Sequence, residues 1–213
     1  VRVIVLTGAG SKAFFAGADL KRTGKDRPFQ INHTDPAQEI GDLFRLVERC
    51  PLPIVARVNG HAVAGGLGLV AMCDMAVATE NAKFGAPETR IGVWPMMIIT
   101  HLMRVMPKRK LLELMVTGEP ISAMEANAAG LINHVVPESE LDAKTDWLIE
   151  RILKSSPAAV RRGLYVYRAM QDMTMHQALV LAESNGGLMG TSEDAAEGIR
   201  AFNEKRPPKW SGI

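Results

Sequence analysis

Asn59–Asp74, NGHAVAGGLGLVAMCD, follows the apolar run Ile54–Val58 (IVARV) and decides how the chain is read. IVARV has the composition of a buried strand and Asn59-Gly60 that of a turn. Ala64-Gly65-Gly66 then opens a short apolar segment, read as a buried helix. Glycine at a strand-to-helix switch lets backbone come close to a ligand. The first N–H groups of a helix have no helical acceptor, so they suit negative charge. Close packing of two elements needs such glycines equally, and the stretch alone leaves both readings open.

Working outward, Val3–Thr7 reads as a strand ended by Gly8-Ala9-Gly10, and Phe14–Leu20 as a loop of apolar and small residues. Lys21–Thr34 is polar and aperiodic, the pattern of a surface loop. Asp35-Pro36 has the chemistry of an N-cap and first helical residue. Ile40, Leu43, Phe44 and Val47 then recur at helical spacing to about Arg49, before Pro51 and Pro53. Met75–Ala78 is a further strand, and Gly92–Pro95 precedes a helix carrying Leu102, Val105 and Met106. Helix Lys108–Met115 stops at Thr117-Gly118. Ser122-x-x-Glu125 is a capping-box pattern, Gly130 closes that helix, and Leu131–Val136 is the last strand. Four helices follow: Leu141–Leu153, Pro157–Met170 behind Ser156, Met175–Met189 and Glu193–Glu204. The order predicts an α/β core over residues 1–136 and a helical region over 137–213. The first six residues, VRVIVL, are already strand-like, which predicts that further N-terminal sequence precedes them.

With 213 residues and 47% hydrophobic composition, the chain can bury a sizeable core. The formal net charge of +2 with a pI near 8.6 lacks the strong basic stripe of a nucleic-acid-coating protein. Lys108-Arg109-Lys110 and Arg161-Arg162 read as solvated helix faces, with a phosphorylated small molecule as the other reading. Cys50 and Cys73 lie far apart without metal spacing and the histidines form no His-x-x-x-His pair, so no metal site is expected. Free thiols fit a reducing, cytoplasmic setting. The apolar run Ala62–Cys73 is too short to span a bilayer.

Gly8-x-Gly10-x-x-Ala13 fits the loosest dinucleotide-binding pattern, but a helix should follow it and Asp26, at the right distance, has no strand before it. A different set of motifs explains more residues. Phe15-Ala16-Gly17-Ala18-Asp19-Leu20, Asn59-Gly60-x-Ala62-x-Ala64-Gly65-Gly66 and Phe84-Gly85-x-Pro87-Glu88-x-x-x-Gly92 occur in this order. Leu114-x-x-Thr117-Gly118-x-x-Ile121-Ser122-Ala123, Ala128-x-Gly130-Leu131 and Ala201-Phe202-x-Glu204-Lys205-Arg206 complete the series. Together they resemble the enoyl-CoA hydratase/isomerase family, the crotonase superfamily, over essentially the whole chain.

The resemblance implies a crotonase (ClpP/crotonase-like) ββα spiral core with an α-helical C-terminal trimerisation region, and N-terminal strands that this chain lacks. It implies an acyl-CoA thioester as substrate, no tightly bound cofactor, and a homotrimer or dimer of trimers. Two backbone N–H groups form an oxyanion hole in this family, and they map onto Ala18 and Gly65. Ala16, Gly17, Asp19 and Leu20 surround the first donor. Gly66, Pro87, Trp94 and Met96 are implied to complete the substrate site. Lys205 matches a basic residue that in family members can reach CoA bound to a neighbouring subunit, although the aromatic residue often paired with it falls on Gly186. Lys21 is a second candidate for a CoA phosphate.

The family's hydratases carry two glutamates. One maps onto Glu88, and the other position holds Gly68. Two carboxylates hold one water from both sides, whereas one suffices to move a proton between carbons, as in the family's isomerases. Met96-Met97-Ile98-Ile99 stands where the hydratase pattern is glycine-rich, which would make the pocket more apolar. The residues therefore favour isomerase-type proton transfer over hydration. Read without the resemblance, Glu88 is an exposed carboxylate paired with Arg90, and the methionines are core packing. The alternatives are a non-catalytic or RNA-associated crotonase homologue, and a Rossmann-type nucleotide-dependent enzyme.

Overall fold

The computed structural model describes residues 1–21 and 38–213. Asp26, the Asp35-Pro36 cap and the loop expected beyond Lys21 lie outside the described residues. The strands are β1 (Ile4–Thr7), β2 (Ala13–Phe15), β3 (Ile54–Val58), β4 (His61–Val63), β5 (Met75–Thr79), β6 (Lys83–Gly85), β7 (Ile121–Ser122) and β8 (His134–Val136). The helices are α1 (Glu39–Glu48), α2 (Gly65–Ala71), α3 (Ile99–Val105), α4 (Lys108–Thr117) and α5 (Ala123–Ala128). After them come α6 (Leu141–Lys154), α7 (Pro157–Met170), α8 (Met175–Gly190) and α9 (Glu193–Asn203).

The chain divides into two compact units. The larger comprises Val5–Val47 and Ile54–Asp146. One sheet has the order β1-β3-β5-β8, with β3, β5 and β8 mutually parallel. Val55, Ala56 and Val58 of β3 and Ala76, Val77 and Ala78 of β5 are buried, the continuous apolar run that a parallel strand covered on both faces requires. The second sheet has the order β2-β4-β6-β7, parallel across β2, β4 and β6 and antiparallel between β6 and β7.

The four strands of the first sheet, β1, β3, β5 and β8, lie in runs that the sequence marks as strands, β5 extending to Thr79, whereas the second sheet is not marked at all. Residues 13–15 are a strand, so Phe14 and Phe15 do not belong to a loop, and residues 61–63, between the Asn59-Gly60 turn and α2, are another. Strands of two or three residues are too short to show alternation. Their positions are set by backbone approaches that exclude a side chain. A Cβ placed on Gly60 would lie 2.5 Å from the Lys12 carbonyl oxygen, and one on Gly8 would lie 2.4 Å from that of Ala13.

The same region removes the nucleotide-binding reading. The Asn59 amide donates to the carbonyls of Gly8 (3.1 Å) and Gly10 (2.7 Å), and its oxygen accepts from Gly8 N–H (3.0 Å). The glycine loop is thus filled by a side chain from β3's end, and strand β2 follows it instead of a helix. The Ser122–Glu125 capping box forms as expected, and Gly130 takes a φ of 80°.

The smaller unit comprises Val1–Ile4, Glu48–Pro53 and Trp147–Ile213. Asp194 in the first turn of α9 is its polar centre, almost fully buried. Its carboxylate accepts from Ser156 Oγ (2.6 Å), Ala158 N–H (3.2 Å), and the N–H groups of Ser211 and Gly212 (2.9 Å each). Burial alone would raise its pKa, but these donors outweigh burial and hold it below the usual range. Trp210 donates to the Lys154 carbonyl and its ring covers Gly198.

The glycines give a test of the fold. Gly60→Ala is expected to cost about 1–3 kcal/mol, because backbone must move to admit the methyl group. Gly163→Ala, inside α7 with open space around it, should gain about 0.5–1 kcal/mol. Urea denaturation of both variants checks the contrast.

Candidate active site

The registers Phe15↔Ala62, Ala62↔Phe84 and Val63↔Gly85 bring the C-terminal ends of β2, β4 and β6 out side by side. Three segments named from the sequence leave the sheet there: Ala16–Leu20, Ala64–Gly66 and Ala86–Glu88. The carboxyl edge of parallel strands is where open α/β sheets bind ligands.

After β2 the chain turns at Gly17, whose φ of 95° favours glycine. Ala16, Ala18, Leu20 and Lys21 are exposed. Asp19 accepts from Lys21 N–H at 3.0 Å, so its carboxylate shapes the turn. After β4, Ala64 has φ 53° and ψ −122°, a region in which a residue other than glycine costs about 1–3 kcal/mol. The N–H groups of Gly65 and Gly66 stand in the first turn of α2, where no helical carbonyl is available to them.

The two segments are in contact. A Cβ on Gly66 would lie 2.3 Å from the Phe15 carbonyl oxygen. One on Gly65 would lie 3.6 Å from the Phe15 ring and 3.8 Å from Ile40 Cδ1, so the opening of α2 has an apolar border. Further along α2, a Cβ on Gly68 would meet Ile98 Cγ2 at 2.3 Å and the Phe44 ring at 3.3 Å. Met97 packs its terminal methyl against Gly41 of α1, Met96 is exposed, and Trp94 is half-buried. Phe44 in turn lies against His101, with ring centroids 4.4 Å apart.

After β6, Pro87 occupies the first turn of a 3₁₀ helix, Pro87–Ile91, where its fixed φ suits the geometry. Thr89 Oγ1 donates to the Met115 carbonyl at 3.0 Å, and Arg90 pairs with Glu119 and donates to the Thr117 carbonyl. Those anchors face α4 and its C-terminal end. Glu88 does not pair with Arg90. It is 8% exposed, and among the described residues its buried Oε2 has no hydrogen-bond partner. Burial pushes its pKa up, and its own backbone N–H offsets this in part.

Lys205, in the smaller unit, follows α9 with a φ of 53°. Sequence reading passed over Phe15, Ile40, Phe44 and Ala64 as site residues. Ile40 and Phe44 gave only the apolar stripe of an ordinary helix, and the strain at Ala64 has no sequence signal.

The edge thus sets main-chain N–H groups from two strand ends beside a buried carboxylate at the end of the third. The two sheets and the helices after them form the crotonase fold. Comparison with known proteins agrees. The sequence profile of enoyl-CoA hydratase/isomerase matches residues 1–212. Enoyl-CoA hydratase domain-containing protein 3, mitochondrial, of Rattus norvegicus is 37% identical over 99% of this chain and 70% of its own length. Carnitinyl-CoA dehydratase of Salmonella typhi is 34% identical over 100% of this chain and 82% of its own. The crystal structure of enoyl-CoA hydratase from Bacillus anthracis superimposes with a TM-score of 0.90 at 34% identity, over 100% of this chain and 82% of that one. The chain belongs to the enoyl-CoA hydratase/isomerase family.

The burial of Glu88 has a measurable consequence. Its raised pKa means that the folded state holds the proton more tightly than the unfolded chain, so stability falls as pH rises from the ordinary glutamate range through the raised value. Glu88→Gln should therefore match wild type near pH 4 and exceed it at pH 7, as read from denaturation midpoints.

Proposed function

We propose that this enzyme moves a proton on an acyl-CoA thioester through an enolate, with isomerase-type transfer favoured over hydration. The observation that carries the reading is the buried, unpartnered Oε2 of Glu88. An unpaired carboxylate oxygen in an apolar setting is a poised proton acceptor and costs stability if it does nothing.

On a 3-enoyl thioester, Glu88 takes the proton from C2. The electron pair of that C–H bond moves into the thioester, and negative charge collects on the carbonyl oxygen. The N–H groups of Ala18 and Gly65 accept that charge as hydrogen-bond donors. They are fixed before reaction, so no solvent has to reorganise, and each such donor is worth about 3–4 kcal/mol. The double bond shifts to C2–C3 and protonated Glu88 delivers its proton to C4. Ala16, Gly17, Asp19 and Leu20 shape the first donor segment. Gly66 and Pro87 hold the other two segments, Trp94 and Met96 border the acyl group, Lys21 serves a CoA phosphate, and Lys205 serves the CoA of a neighbouring subunit.

Hydration needs a second carboxylate to orient water. The position that holds it in the family's hydratases is Gly68, where Ile98 already fills the space that a side chain would need. The neighbouring Phe44 ring and Ile98 side chain offer water no polar partner. The substrate is thus an enoyl thioester whose reacting carbons lie within reach of a single carboxylate.

A panel of 2-enoyl- and 3-enoyl-CoA thioesters, assayed with wild type and Glu88→Gln, tests this. Wild type should isomerise 3-enoyl-CoA faster than it hydrates 2-enoyl-CoA. Glu88→Gln should lose about 10²–10⁴ in kcat with little change in KM. Faster hydration by wild type sinks the isomerase preference, and an unchanged kcat in Glu88→Gln sinks the assignment of Glu88.

A further inference from the structure

Among the described residues, Ala64 and Lys205 are the two non-glycine residues with positive φ. Ala64 stands between β4 and α2 and is fastened on both sides. Its N–H donates to the Gly85 carbonyl at 2.8 Å, and its carbonyl accepts from Leu67 N–H at 2.9 Å. With φ 53° and ψ −122° the chain turns sharply from strand into helix, in a conformation that glycine adopts without strain. The methyl group is therefore not needed to make the turn, and it works against it.

That methyl has a definite neighbour. A Cβ placed on Gly17 would meet Ala64 Cβ at 3.0 Å and the Val63 carbonyl oxygen at 3.7 Å. Gly17 is the residue before Ala18, and Ala64 the residue before Gly65. One methyl group thus abuts the backbone that leads into one proposed donor while belonging to the residue that leads into the other. Glycine at position 64 would leave a methyl-sized gap between the two segments, with Gly17, itself the least restricted residue, free to move into it.

We infer that Ala64 is a positioning residue whose methyl group sets the spacing between the Ala18 and Gly65 N–H donors, with backbone strain retained to keep that spacer in place. This rests on the oxyanion reading of those two groups. A shift of a few tenths of an ångström in one donor leaves substrate binding nearly intact. It weakens the hydrogen bond where charge develops, so kcat falls and KM does not.

The test compares wild type, Ala64→Gly and Ala64→Ser, the serine variant retaining a Cβ. Three quantities are read: the melting temperature, kcat and KM on 3-enoyl-CoA, and the absorbance of a bound enoyl-CoA whose double bond is conjugated to an aromatic ring. Donors that polarise the carbonyl move that absorbance to longer wavelength, whether or not turnover occurs. Ala64→Gly is expected to melt no lower than wild type, to lose about tenfold in kcat at similar KM, and to show a smaller red shift. Ala64→Ser should restore most of the red shift and of kcat. A glycine variant with wild-type kcat and red shift overturns the inference and leaves the oxyanion reading standing. So does one that melts markedly lower, since the methyl group is then ordinary packing. Wild type binding the chromophore with no red shift overturns both.

Discussion

The Phe15 carbonyl rests against Gly66 so closely that a methyl group there would be 2.3 Å from it. The rest of the site depends on that contact. It presses the loop leaving β2 onto the first turn of α2, and so joins two segments that lie about fifty residues apart in the chain. Similar side-chain-free contacts, Gly60 on Lys12 and Gly8 on Ala13, hold the short strands behind them in register. The smaller sheet has strands of at most three residues, too few for ladder hydrogen bonds and side-chain pairs to specify their pairing alone. Backbone touching backbone supplies the missing specification.

Glu88 shows the complementary device. A carboxylate followed two residues later by an arginine reads as a surface ion pair. The 3₁₀ turn instead directs Thr89 and Arg90 to α4 and its C-terminal end, with Glu119 taking the guanidinium. Glu88 is left buried, with one oxygen unpaired among the described residues. The cation that would have neutralised it is held by another acid, and a raised pKa follows from burial without any special partner.

How much of this was legible in the sequence varied with length scale. The apolar runs of β3 and β5 and the capped helices α5 and α7 were read within a few residues, because periodicity and capping are local. The two-residue and three-residue strands were not, since what specifies them is a distant carbonyl. Motif order placed Ala18, Gly65 and Glu88 in segments that the sheet does bring to one edge. It could not show that Gly68 is filled by Ile98, nor that Asn59 plugs the loop that had suggested a nucleotide fold. The bend at Ala64 was hidden for a simpler reason: alanine carries no mark of unusual dihedral angles.

A site assembled this way is nearly invisible to alanine scanning. Ala16, Ala18 and Ala64 are already alanine, and the N–H of Gly65 survives a change of its side chain. Such a survey would register Glu88 and then report the glycine positions as sites of misfolding. The main-chain groups proposed as donors would pass for filler. Replacing an amide by an ester, which deletes one N–H and leaves every side chain alone, is the perturbation matched to this architecture.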